Sequence, residues 1–121
     1  MSLHSSTRTL LFLLLLVSAS TLSAAGYPAA LAREIPAYPQ AQLDSASEDS
    51  RGASAILNAK GSVEQAARYY QEKLAGQGWK QTADAAIGNA RALEFSRDKS
   101  SIAISIMPTS AGTTIALTLS R

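Results

Sequence analysis

Apolar positions recur in three rhythms along this chain of 121 residues, and each rhythm predicts a different element. Near the start, Leu10 to Val17 is an unbroken apolar run of eight. Further on, Val63, Ala66, Ala67, Tyr70 and Leu74 fall on one face of a helix, with Glu64, Arg68, Gln71 and Glu72 on the other. Ser62-Val63-Glu64-Gln65 matches a capping box, in which the Ser62 hydroxyl and the Gln65 side chain satisfy each other's backbone N–H. Gly76 then reads as a left-handed C-cap and Gly78 as a second break, which predicts a helix over about residues 63 to 75. After the helix the period falls to two. Ile102, Ile104 and Ile106 alternate with Ala103 and Ser105, and Ile115, Leu117 and Leu119 repeat the pattern.

The remaining segments fit strands and turns around these. Ala53 to Ala59 reads as the first firm strand, Trp79 to Ala83 as another, and Ala90 to Arg97 as a third with Leu93 and Phe95 on one face. Asp84 to Asn89 reads as the turn between the last two, and Pro108 to Gly112 as a later one. Residues 33 to 52 read as an extended, irregular lead-in. Ile35-Pro36-Ala37-Tyr38-Pro39 disfavours helix, Asp44 to Gly52 is polar and turn-like, and Ala41 and Leu43 offer at most a short edge strand. Short polar loops imply an antiparallel meander. The expected fold is α+β, a β-α-β-β-β-β two-layer sandwich with one helix on an antiparallel sheet of four to five strands.

The apolar run changes where this domain should act. With Arg8 before it and Ser, Ala and Thr after it, the run has the order of a secretory signal peptide. Eight residues are too few for a membrane span, which needs about 20. Two cleavage sites fit: Ser23-Ala24-Ala25, leaving Gly26 first, and Ala30-Leu31-Ala32, leaving Arg33 first. The expected organisation is a leader over residues 1–32, a lead-in over 33–52 and an α+β domain over 53–121. No Cys follows the run to take a lipid, so the product is expected in the periplasm or secreted, without a membrane span.

Composition narrows the chemistry further. There is no Cys and hence no disulfide, and the single His, His4, lies in the leader. The exported chain therefore lacks the commonest neutral-pH base, the thiol nucleophile and the usual zinc ligands. A Ser-His-Asp site is excluded. Loss of Arg8 leaves ten Lys+Arg against nine Asp+Glu, and the bases are scattered singly, which argues against nucleic-acid binding. No cofactor or metal site is expected. Asp44, Glu48 and Asp49 read as a solvated acidic loop without Ca²⁺-loop spacing. Ser96-Arg97-Asp98-Lys99 matches the S-x-x-K of a Ser nucleophile and Lys base, but in a hairpin turn and not at a helix start.

Aromatic residues are the remaining candidates. Tyr38, Tyr69 and Trp79 are the expected binding-surface positions. Each has an architectural alternative: Trp79 as a plug at the end of the core, Tyr69 beside the buried stripe, and Tyr38 as the anchor of a lead-in packed on the sheet. Ile35-Pro36-x-Tyr38-Pro39-x-Ala41, followed by Val63-x-x-Ala66-x-x-Tyr69-Tyr70-x-x-x-Leu74-x-x-x-Gly78-Trp79, resembles a loose group of small exported bacterial domains. There an IPxYPGA opening precedes an FYxxxLxxxGW helix end. Gln40 stands where the group commonly has Gly, and Tyr69 where it commonly has Phe. The group has no assigned biochemical function and often carries lipoprotein leaders, so the resemblance implies an envelope location. The function expected is a non-enzymatic module that binds a protein or envelope component through a sheet edge or the helix–sheet rim. The alternative is a carrier of a small apolar ligand or lipid between helix and sheet, for which the small Ala66 and Ala67 leave room.

Overall fold

The computed structural model describes residues 26–121; the apolar run, His4 and Ser23-Ala24-Ala25 lie outside the described residues. The elements in chain order are α1 (Ala29–Glu34), β1 (Gln42–Asp49), β2 (Gly52–Ala59), α2 (Val63–Ala75), β3 (Lys80–Ile87), β4 (Ala90–Arg97), β5 (Ser100–Thr109) and β6 (Gly112–Ser120). The fold is α+β. All six strands form one antiparallel sheet in the order β1-β2-β6-β5-β4-β3. The β1–β2 hairpin and the β3-to-β6 meander therefore meet where β2 pairs with β6. Helix α2 connects β2 to the far edge of the sheet and packs on β3, β4 and β5, while α1 packs on β2.

Period-two alternation sends one side of each central strand inward. Leu57, Leu93, Phe95, Ile102, Ile104, Ile106, Ile115 and Leu117 are fully buried there. They meet Ala66, Ala67, Tyr70 and Leu74 of α2, the stripe that the helical spacing predicts. The capping box at Ser62 and Gln65 is present, with both reciprocal hydrogen bonds. Tyr70 and Phe95 are the largest side chains fully buried in the layer between helix and sheet.

Five expectations need correction. The sheet has six strands and not four to five, because β1 occupies Gln42–Asp49 within the supposed irregular lead-in. All eight β1 residues are exposed, so no apolar alternation announces an edge strand whose register comes from backbone pairing and a two-residue hairpin loop. A second helix, α1, lies where the leader end and lead-in were expected, and it buries Ala30 and Leu31. β3 runs on to Ile87, which confines the following turn to Gly88-Asn89, and β5 likewise runs through Pro108 to Thr109, which confines the later turn to Ser110-Ala111. Gly76 is right-handed at φ −65°, and the left-handed residue after α2 is Gly78 at φ 84°. The loop tightens first through hydrogen bonds from Gln77 N–H and Trp79 N–H to the Leu74 carbonyl, so the reversal comes two residues later.

Candidate functional site

Tyrosines gather at one end of the inner layer. Val63-to-Ala75 helical spacing places Tyr70 inward and Tyr69 beside it, and the lead-in brings Tyr38 against both. Tyr38 and Tyr69 meet edge to face at 4.9 Å between ring centres, Tyr69 and Tyr70 at 5.1 Å, and Tyr38 lies 5.9 Å from Tyr70. Lys73 sets its ammonium 5.6 Å above the Tyr69 ring. Tyr27 completes the cluster, and its hydroxyl donates to the Ile35 carbonyl at 3.3 Å. Burial, then the nearby Tyr69 phenol, pushes the Tyr27 pKa up to about 12; burial also raises Tyr69 and Tyr70. The Tyr70 hydroxyl is buried and has no hydrogen-bond partner among the described residues.

Tyr38 reaches this cluster through a tight turn. The Ala41 N–H donates to the Tyr38 carbonyl at 3.1 Å, and Gln40 between them has φ 61°. Pro39 can only take negative φ, so the turn has the type II pattern, whose third position favours glycine. A glutamine here meets a backbone demand that glycine would meet without strain.

Trp79 is held elsewhere. It is only 4% exposed, donates through Nε1 to Glu34 Oε1 at 3.3 Å, and carries the Arg97 guanidinium 4.5 Å above its ring. Arg97 also donates to Glu34 Oε1 at 2.8 Å and to the Gln77 carbonyl at 3.0 Å. Together they clasp the end of α1 to the α2–β3 junction. So of the three aromatic candidates, Tyr38 and Tyr69 come together with part of their surface exposed, and Trp79 is an internal strut.

Among the described residues, the titratable groups named in the sequence lie on separate elements, most of them held in structural contacts. Glu48 turns inward to accept the Ala30 N–H at 3.3 Å, while Asp49 accepts the Arg51 and Gly52 N–H groups that close the β1–β2 hairpin. Ser96 lies on β4 and Lys99 in the exposed turn after it, with no hydrogen bond between them among the described residues. Arg91 is the hub that its scattered position in the sequence conceals. It shares an inward register with Leu93, Phe95 and Arg97 on β4, and that alternation is the signal for it. Its Nη1 donates to both Glu64 carboxylate oxygens at 2.8 Å, and its Nη2 to both Asp84 oxygens at 2.8 Å. Hydrogen bonding to Glu64, then to Asp84, raises its pKa. A cleft of about 450 Å³ opens beside it, between the α2 N-terminus and the β3–β4 and β5–β6 turns. Each Arg91 terminal nitrogen already serves a whole carboxylate, so the residue is an α2–β3–β4 clasp and no anion receptor.

The other face of the sheet is open. Ser45, Ile56, Ala116, Ser105, Ala92 and Ala85 form one row across all six strands. Asn58, Thr114 and Met107 lie in the next row, with Ile87 near its far end. Neither row carries a charge. Ile56, Met107 and Ile87 are three of the four large apolar side chains left exposed among the described residues. A depression of about 410 Å³ lies over β1, β2 and β6, lined by Ser45, Ser54, Ile56, Ala116 and Thr118 among others.

Comparison with known proteins adds one finding. A family model described as START domain-like matches residues 39–113, from the Tyr38 turn through the start of β6. No curated protein and no solved structure matches the chain.

Proposed function

The chain belongs to the START domain-like family, and on that premise we propose that it is an exported, non-catalytic binding module that engages a protein or another envelope component through the outer face of its sheet. The observation that carries this is the uncharged double row on an open six-stranded face, with Ile56 and Met107 exposed near its middle. Interface centres are depleted of charge in this way. The edges of the sheet suit binding less well. β1 has a bulge at Asp44 with Glu48 and Asp49 beyond it, and β3 has a bulge at Thr82 flanked by Lys80 and Asp84. Bulges and charges are how strand edges are kept from pairing with other chains. Export rests on the leader pattern, and the non-catalytic reading rests on the dispersal of Ser96, Lys99 and the acidic residues.

A second reading has its own observation. Family membership fits a ligand-binding role, and the buried, unpartnered Tyr70 hydroxyl is a polar handle facing the inner layer. An apolar ligand with one polar group would enter past Tyr38 and Tyr69. Native mass spectrometry of protein purified from the envelope of its producing cells separates the two. The leading reading expects a bound macromolecule that Ile56→Lys with Met107→Lys removes while the melting temperature holds. Co-purifying lipid, unaffected by those changes, would replace it with the second reading.

A further inference from the structure

We propose that the leader is removed at the Ala25–Gly26 bond and that the Ala32–Arg33 bond stays intact, so that Tyr27 to Ala32 remain a built part of the domain. The proposal rests on the export reading above. By sequence both bonds follow a small residue with another small residue two positions before it, and the motif alone does not choose.

The fold does choose. Ala30-Leu31-Ala32 is the middle of α1, where the Ala32 N–H donates to the Pro28 carbonyl at 2.9 Å and the Ile35 N–H to the Leu31 carbonyl at 2.7 Å. Leu31 is fully buried, and Ala30 nearly so. The inward positions of β2 explain why the segment is needed. They are Ala53, Ala55, Leu57 and Ala59, so three of four carry only a methyl group. α2 packs on β3, β4 and β5, which leaves α1 to cover this shallow side of the sheet. The Ala30 N–H reaches Glu48 on β1, and the Tyr27 hydroxyl reaches the Ile35 carbonyl. A cut after Ala32 would delete Tyr27, Ala30 and Leu31 together and uncover the Ala53–Ala55 trough. Cleavage precedes folding, so burial does not shield the Ala32 bond. The constraint is on the product: of the two candidate products, only the chain starting at Gly26 keeps α1 over the inner side of β2.

The test is the intact mass of the exported protein made from the full chain in a bacterial host, with two variants. A product of residues 26–121 supports the proposal. Ala25→Leu is then expected to leave uncut precursor, and Ala32→Leu to change nothing, since Ala32 is exposed and tolerates the larger side chain. A product of residues 33–121, a cut at any other bond, or a block by Ala32→Leu overturns the proposal while the export reading stands. An uncut chain retained in the cell overturns both.

Discussion

Gln40 holds a left-handed backbone at φ 61°, which costs a residue with a Cβ about 1–2 kcal/mol. Glycine removes that strain but returns about 0.4–1 kcal/mol through its freer unfolded chain. Gln40→Gly is therefore expected to stabilise by about 0.5–1 kcal/mol, read as a higher urea midpoint with unchanged slope. A lower midpoint would contradict the turn assignment. Tyr70 presents the opposite case. Its hydroxyl is desolvated without a partner among the described residues, so Tyr70→Phe should leave stability equal or raise it by about 1 kcal/mol. A loss of more than that would mean the hydroxyl has a partner. Residue identity on α2 was legible from spacing alone, because a 3.6-residue period and a capping box leave one inward stripe. Arg91 was not, since a base read singly looks solvated until its strand register puts it beside Leu93 and Phe95.

At the scale of elements, packing decides what local pattern does not. β1 and α1 escaped the sequence for different reasons. β1 has only Leu43 and the small Ala46 as inward apolar positions, and α1 is a six-residue helix between prolines, held by Leu31 and Ile35. The central strands were legible because both their neighbours and the helix demand the same period. Where β2 meets β6 the backbones come close: a Cβ on Gly52 would run into the Leu119 carbonyl. Gly52→Ala should therefore cost more than about 2 kcal/mol, or prevent cooperative unfolding altogether; a wild-type melting curve would refute the pairing. The tyrosine end of the inner layer makes a pH prediction. Unfolded phenols ionise near 10. Tyr27 in the fold is raised to about 12, so between those values the unfolded chain holds fewer protons and stability falls as pH rises. The melting temperature should fall above about pH 10, and less steeply in Tyr27→Phe. Parallel curves for the two proteins would contradict the burial of that phenol.

For the whole molecule, the asymmetry between the two sheet faces is the main result. The inner face is covered by α1 and α2 and filled by Tyr70, Phe95 and a tier of Ile and Leu. The outer face is small-residue and uncharged in the two rows through Ala116 and Thr114, and Glu94 brings a charge into the next row, through Thr118. The alternation of Ile with Ser, Thr and Ala made both faces visible in the sequence, but it could not tell a solvated face from a docking one. That distinction depends on which side chains share a row across six strands, and the row order follows from the β2–β6 pairing, which no local pattern encodes. The family match over residues 39–113 does not bear on the outer face. Site-specific photo-crosslinking in the producing cell tests the surface most directly. A crosslinking side chain is placed at Ile56 or Met107 on the outer face, and at Glu72 on the solvent side of α2 as a comparison. Discrete adducts from the first two positions and none from Glu72 are the expected result. Adducts from Glu72 with none from Ile56 and Met107 would contradict the outer face as the site of binding.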